Sequence, residues 1–247
     1  MTSPWIVCHT PRPAAKVRLF CFPHAGGAAW AYGRWAMQLP SSIDVLAIEL
    51  PGHGNRIAEA PQQDFDALLR QLVDSILPEL DRPVAFFGHS FGAVLAFEVA
   101  RKLPHGMAHP LRQLFVSGHN APHVEDDLGD LSQLNDEQLI DQLRRLNCTP
   151  PAALENHELM ELMLPVIRAD FALYNSYVCE ESDPLGVPIT VLNGLRDPRT
   201  HLPGLQAWRA QTTGPFVLRQ FVGDHFFVST EEAAVVELVG GHLLGGE

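Results

Sequence analysis

Ser90 stands in Gly88-His-Ser-Phe-Gly92, a Gly-x-Ser-x-Gly arrangement whose flanking glycines allow a turn tight enough to present the hydroxyl at its apex. If a strand precedes this turn and a helix follows it, backbone N–H groups and the positive end of the helix dipole point at negative charge developing beside the hydroxyl. A serine hydroxyl is a weak nucleophile at neutral pH and needs a base. The chain order serine, carboxylate, histidine places both partners in the C-terminal part. His225, in Gly223-Asp-His-Phe-Phe227, follows the last apolar run and fits a base carried on a loop. His201 precedes that run and His242 lies in an apolar helical pattern, so both fit less well. For the acid, Asp197 in Asn193-Gly-Leu-Arg-Asp-Pro198 sits at a turn after the penultimate run, where it would fix the imidazole tautomer and stabilise the imidazolium. Asp224 is the runner-up, because side chains adjacent in an extended segment diverge.

Attack on an acyl group also needs donors for the oxyanion. Phe22-Pro-His-Ala-Gly-Gly27 follows the first strong apolar run and is rich in small residues that let backbone approach a substrate. The N–H groups of Ala25 and Phe91 are the expected donors. Pro51-Gly-His-Gly54 reads as a tight loop, and His53 is given no catalytic role. His119, His123, Glu125, Asp126 and Asp127 superficially suggest metal ligands but follow no recognised ligand spacing. The acidic run is read as a solvated edge, and neither a metal nor a cofactor is expected.

The elements needed to position these residues are visible in the hydrophobic pattern. Short runs rich in Val, Ile and Phe predict strands at 17–22, 43–48, 84–88, 113–117, 189–193 and 216–221. Helical patterns alternate with them, the signature of a largely parallel sheet wrapped by helices. Leu68, Leu69, Leu72, Val73, Ile76, Leu77 and Leu80 recur at three- and four-residue steps from Phe65, with Asp64 as N-cap. The 92–103 segment is apolar on nearly every face, as befits a helix packed centrally on a sheet. From 120 to 188 the rhythm breaks, and the segment reads as a helical lid insertion within one domain spanning 1–247. Asn135 and Gln138 form a capping-box pattern there, and a second helix over 158–177 is expected to kink at Pro165. Met163 and Phe171 are assigned to the lid face of an acyl pocket, Met being able to repack around groups of differing shape.

Composition bounds the classes of function. The 247 residues carry 46% hydrophobic and 19% charged side chains, ordinary for a globular chain with a large core. A formal net charge of -12 argues against nonspecific nucleic-acid binding, which relies on Lys and Arg. No basic leader precedes an apolar run, and no stretch approaches the roughly 20 apolar residues of a membrane span, so a cytoplasmic protein that does not enter membranes is expected. Cys8, Cys21, Cys148 and Cys179 are scattered and read as reduced thiols.

Taken together, these motifs resemble the stand-alone type II thioesterases of polyketide and nonribosomal peptide pathways, within the α/β-hydrolase superfamily. The likeness rests on Phe22-Pro-His-Ala-Gly-Gly27, Glu49-Leu-Pro-Gly-His-Gly54 with Arg56, Gly88-His-Ser-Phe-Gly-Ala93, Arg168-Ala-Asp170, Asp197-Pro198, Trp208 and Gly223-Asp-His-Phe-Phe227. Phe91, where many members carry Met, and Asp224, where Gly is common, are departures. The resemblance implies an α/β-hydrolase fold and cleavage of acyl thioesters from the phosphopantetheine arm of an acyl or peptidyl carrier protein. A general carboxylesterase using the same residues is the enzymatic alternative. A hydrolase-fold module that only contacts a synthase is the non-enzymatic one, and it would be expected to lack one of Ser90, Asp197 or His225.

Overall fold

The computed structural model describes residues 3–104, 111–124, 129–145, 149 and 151–245. Seven strands form one sheet: β1 (Ile6–Val7), β2 (Val17–Phe22), β3 (Ile43–Ile48), β4 (Val84–His89), β5 (Leu111–Ser117), β6 (Ile189–Gly194) and β7 (Phe216–Phe221). Their spatial order is β1-β3-β2-β4-β5-β6-β7. Every pairing is parallel except that of β1 with β3. The helices are α1 (Trp35–Gln38), α2 (Phe65–Ile76), α3 (Phe91–Lys102), α4 (Asp136–Arg145), α5 (Pro151–Leu154), α6 (His157–Ser176), α7 (Leu202–Gln206), α8 (Phe227–Thr230) and α9 (Glu232–Leu244).

Strand alternation divides the core in two. Phe20, Phe22, Leu46, Ile48, Phe86, Leu114 and Val191 face one side, where they meet α2 and α3. Leu19, Cys21, Val45, Ala47, Phe87, Phe115 and Leu192 face the other, where they meet Trp35 of α1 and Val235, Val236 and Val239 of α9. Helix α2 shows the expected stripe, with Phe65, Leu68, Leu69, Leu72 and Ile76 buried and Asp64 accepting the Ala67 N–H at 2.9 Å. In α3, every residue from Phe91 to Ala100 is buried. This is the α/β-hydrolase fold.

Between β5 and β6 lie α4, α5 and α6, with no strand among the described residues of that segment. Asn135 and Gln138 exchange hydrogen bonds reciprocally at 3.1 and 2.9 Å, closing a capping box ahead of α4. Helix α6 runs through Pro165 without interruption from His157 to Ser176. The insertion has a core of its own, in which Leu131, Leu139, Leu143, Leu154, Met160, Leu164, Ile167 and Phe171 are buried together. Leu146, Cys148 and the acidic run Glu125-Asp126-Asp127 lie outside the described residues. Among the described residues no helix is long and apolar enough to cross a membrane.

Because the central strands are parallel, the loops at their C-terminal ends emerge along one edge of the sheet. That edge gathers 23–27 after β2, Ser90 after β4, Gly118 after β5, Asp197 after β6 and His225 after β7.

Candidate active site

Ser90 is the only non-glycine residue with positive φ among the described residues, at φ 55 and ψ -121. Such a conformation costs energy and persists because its surroundings dictate it. The Ser90 N–H donates to the Ser117 carbonyl at 2.8 Å, and its own carbonyl accepts the Ala93 N–H at 2.8 Å, so the turn is held on both sides. The flanking glycines are sterically required. A Cβ on Gly88 would lie 2.0 Å from the Gly92 carbonyl oxygen, and one on Gly92 would lie 2.2 Å from that of Phe22. The second contact shows how closely the start of α3 is pressed against the 22–27 loop, whose Ala25 was expected to donate together with Phe91.

His225 is 1% exposed and lies next to this turn. Its ring is 4.9 Å from that of His89, the residue preceding Ser90. A Cβ on Gly118, the residue after Ser117, would come within 3.3 Å of His225 Cε1. His225 Nδ1 is 2.9 Å from Asp197 Oδ2. Asp224, the rival carboxylate, instead accepts the Phe226 N–H at 3.0 Å. The other candidate histidines are placed elsewhere: His201 Nδ1 accepts the Gly204 N–H at the start of α7, and His242 packs against Phe115.

Two imidazoles near His225, those of His24 and His89, are held neutral by burial. Burial, aided by His225 and His53, lowers the His24 pKa to about 4. Burial likewise pushes the His89 pKa well down, helped by His225 and His24; its Nδ1 bonds Ser117 Oγ at 3.0 Å, and its buried Nε2 has no partner among the described residues. Phe226 packs edge-on against His24, His89 and His225. In such a setting, charge appearing on one imidazole is stabilised chiefly by a dedicated carboxylate.

Phe91 is 3% exposed and meets Tyr174 of α6 edge-on. Phe171 is 5% exposed within the insertion's own core; Met163 is half-buried against that core, and Ala25 touches the same cluster. The cluster that includes or borders both proposed pocket residues is thus in contact with the 22–27 loop through Ala25. His119 bonds Tyr174 Oη at 3.0 Å and His123 bonds Gln211 at 2.8 Å, and no group of potential metal ligands occurs among the described residues.

One pair of residues beside the site escaped the sequence reading. Asp170 of α6 is 1% exposed, accepts the Gly26 N–H at 2.6 Å and lies 2.8 Å from His53 Nε2. The signal available beforehand was the presence of both residues in segments that carry the family resemblance.

A thioesterase-domain family model matches residues 17–243. The chain belongs to the thioesterase family. Gramicidin S biosynthesis protein GrsT of Aneurinibacillus migulanus is 39% identical over 95% of the chain and 92% of its own length. A Brevibacillus parabrevis protein named linear gramicidin dehydrogenase LgrE is 37% identical over 96% of the chain and 91% of its own length. Among solved structures, that of the type II thioesterase BorB from the borrelidin biosynthetic cluster superposes with a TM-score of 0.90 at 37% identity, covering 98% of this chain and 99% of that one. The protein is thus a thioesterase similar throughout to members that serve peptide and polyketide biosynthesis.

Proposed function

We propose that this thioesterase hydrolyses acyl thioesters borne on the phosphopantetheine arm of a synthase carrier protein, through an acyl-Ser90 intermediate. The observation that carries the assignment of residues is the 2.9 Å pairing of Asp197 with His225 beside the strained turn at Ser90. Ser90 Oγ attacks the thioester carbonyl carbon as His225 Nε2 takes its proton, and the Ala25 and Phe91 N–H groups receive the oxyanion. Asp197 holds the Nδ1–H tautomer and balances the imidazolium. Collapse breaks the C–S bond, and the sulfur leaves with the proton from His225 as a free thiol. Water then gives a proton to His225 and attacks the acyl ester; the second collapse returns that proton to Ser90 and releases the carboxylic acid.

The carrier-bound substrate is supported by the relatives, which belong to gramicidin S and borrelidin biosynthesis. One relative bears a dehydrogenase name, but the Gly-x-Gly-x-x-Gly turn of dinucleotide sites has no counterpart in this sequence. Intact-mass measurement of acyl-carrier proteins, with acyl-coenzyme A and aryl esters as comparators, tests the reading. Loss of the acyl mass from the carrier should outpace aryl ester cleavage and vanish in Ser90→Ala. Equal or faster aryl ester turnover would reject the carrier-bound thioester as substrate.

A further inference from the structure

The loop that carries Ala25 is gripped by a buried histidine–aspartate pair that the reaction scheme does not use. Gly26 contributes the contact: its N–H donates to Asp170 Oδ2, and at φ +72 it approaches α6 so closely that a Cβ would lie 2.5 Å from Ile167 Cγ1. The same carboxylate oxygen meets His53 Nε2 at 2.8 Å, while His53 Nδ1 lies 3.0 Å from the Pro51 carbonyl oxygen. Asp170 thereby joins three segments: helix α6 of the insertion, the 22–27 loop and the loop after β3.

The partners of His53 determine its protonation. Both ring nitrogens face oxygen atoms, and a backbone carbonyl can only accept. A neutral imidazole has one N–H, so it can satisfy the carbonyl or a carboxylate but not both. The His53–Asp170 pair must therefore hold one proton more than a neutral ring beside a carboxylate, and imidazole is the stronger base of the two. We propose that His53 imidazolium and Asp170 carboxylate form a buried ion pair that positions the oxyanion loop against α6. This rests on the reading of Ala25 as an oxyanion donor. Asp170 fixes the Ala25–Gly26 peptide, and through it the direction of the neighbouring Ala25 N–H.

The charges around His53 agree with this. Burial alone would lower its pKa, but Asp170, the Pro51 carbonyl and the Glu49 carboxylate together raise it. Glu49, at the end of β3, is anchored by the Ala29 and Asn55 N–H groups. Arg56 on the same loop pairs with Glu59 and donates to the Glu49 carbonyl. On the 22–27 side the facing titratable group is His24, held neutral by burial. A group with a raised folded-state pKa keeps its contribution at low pH and loses it as pH rises through that value. The grip on the loop is therefore complete below the ordinary histidine pKa and is released as pH rises through the raised value.

The roles of Asp170 and His53 are those of positioning residues. In Asp170→Asn, the amide oxygen can still accept from Gly26, but the charge that keeps His53 protonated is gone. Expected are a fall in kcat of up to roughly 100-fold with little change in KM, and an alkaline limb moved to lower pH. His53→Gln should lower kcat similarly and abolish that limb. Imidazole nitrogen NMR of the wild-type chain, with the His53 signals identified by their loss in His53→Gln, should show both nitrogens protonated at neutral pH. A single neutral tautomer there overturns the proposal however the variants fold. Wild-type kcat and an unmoved alkaline limb in folded Asp170→Asn overturn it as well. Ser90→Ala separates the two readings: turnover surviving in Ser90→Ala rejects the nucleophile, whereas an inactive Ser90→Ala beside an unaffected Asp170→Asn rejects the positioning pair alone.

Discussion

Asp197 Oδ2 lies 2.9 Å from His225 Nδ1 while Asp197 Oδ1 accepts the Arg199 N–H at 2.9 Å, so both oxygens of this carboxylate are oriented by the fold. Asp224, one residue from His225, is directed at the Phe226 N–H and shapes the turn that carries the histidine. Asp197→Asn should therefore lower kcat by about 10⁴-fold, since the amide keeps the shape but favours the wrong tautomer. Asp224→Asn, which retains an acceptor for Phe226, should change kcat by less than about tenfold. Steady-state kinetics on one acyl-carrier substrate checks both, and the reverse ranking would transfer the acid role to Asp224.

Ser90→Ala and His225→Ala should each reduce turnover by about 10⁶-fold, because groups acting as a unit fail together. The double variant should be scarcely worse than either single one. A serine-directed phosphonate should add its mass to the wild-type chain and not to folded Ser90→Ala. Additive losses in the double variant would show that the two residues act independently.

Much of this edge of the sheet was legible in the chain. The runs at 17–22, 43–48 and 216–221 coincide with β2, β3 and β7, because short runs rich in Val, Ile, Leu and Phe favour strands. By contrast, β1 has only Ile6 and Val7 and exists through its pairing with Ala47 and Ile48, so no local pattern announces it. The kink expected at Pro165 does not interrupt α6, whose adjoining residues Leu164, Val166 and Ile167 are all buried. The His53–Asp170 contact joins residues 117 apart and depends on how the insertion settles on the sheet edge, a relation that spacing does not encode.

Stability should fall on both sides of neutrality for different reasons. On the acid side, His24 is held near pKa 4 when folded but returns to about 6.5 when unfolded, so the unfolded chain takes up the proton first. Stability present above about pH 6.5 is then lost as pH falls toward 4, by on the order of 3 kcal/mol for this residue, and His89 adds in the same direction. In the opposite direction, the contribution of His53 is lost as pH rises through its raised pKa. Urea midpoints measured across pH should show a maximum near neutrality. His24→Gln should flatten the acid slope and His53→Gln the alkaline one; an unchanged profile in both would show that other groups govern it.

The insertion offers a test of whether its apolar face selects the acyl group. Phe171 is 5% exposed and belongs to the same buried cluster as Leu131, Leu139, Leu143 and Leu164, so it serves the insertion's own core. Truncating a buried phenylalanine costs about 3–5 kcal/mol, and Phe171→Ala should lower Tm whatever it does to specificity. Met163 is half-buried at the margin of the same cluster, on the helix whose Ile167 meets Gly26 and whose Asp170 holds it. Removing the Met163 side chain opens space at that margin with a smaller loss of packing, and its flexible thioether suits a wall that adapts to different chains. Met163→Ala should therefore shift the order of preference among acyl-carrier substrates toward longer or branched groups, with a smaller loss of Tm than Phe171→Ala. Competition among acetyl, butyryl and hexanoyl carriers, followed by intact mass, reads the order directly. If Met163→Ala lowers Tm and leaves that order unchanged, the side chain belongs to the packing of the insertion, and acyl selection must be sought in the residues that line Ser90 from the sheet side.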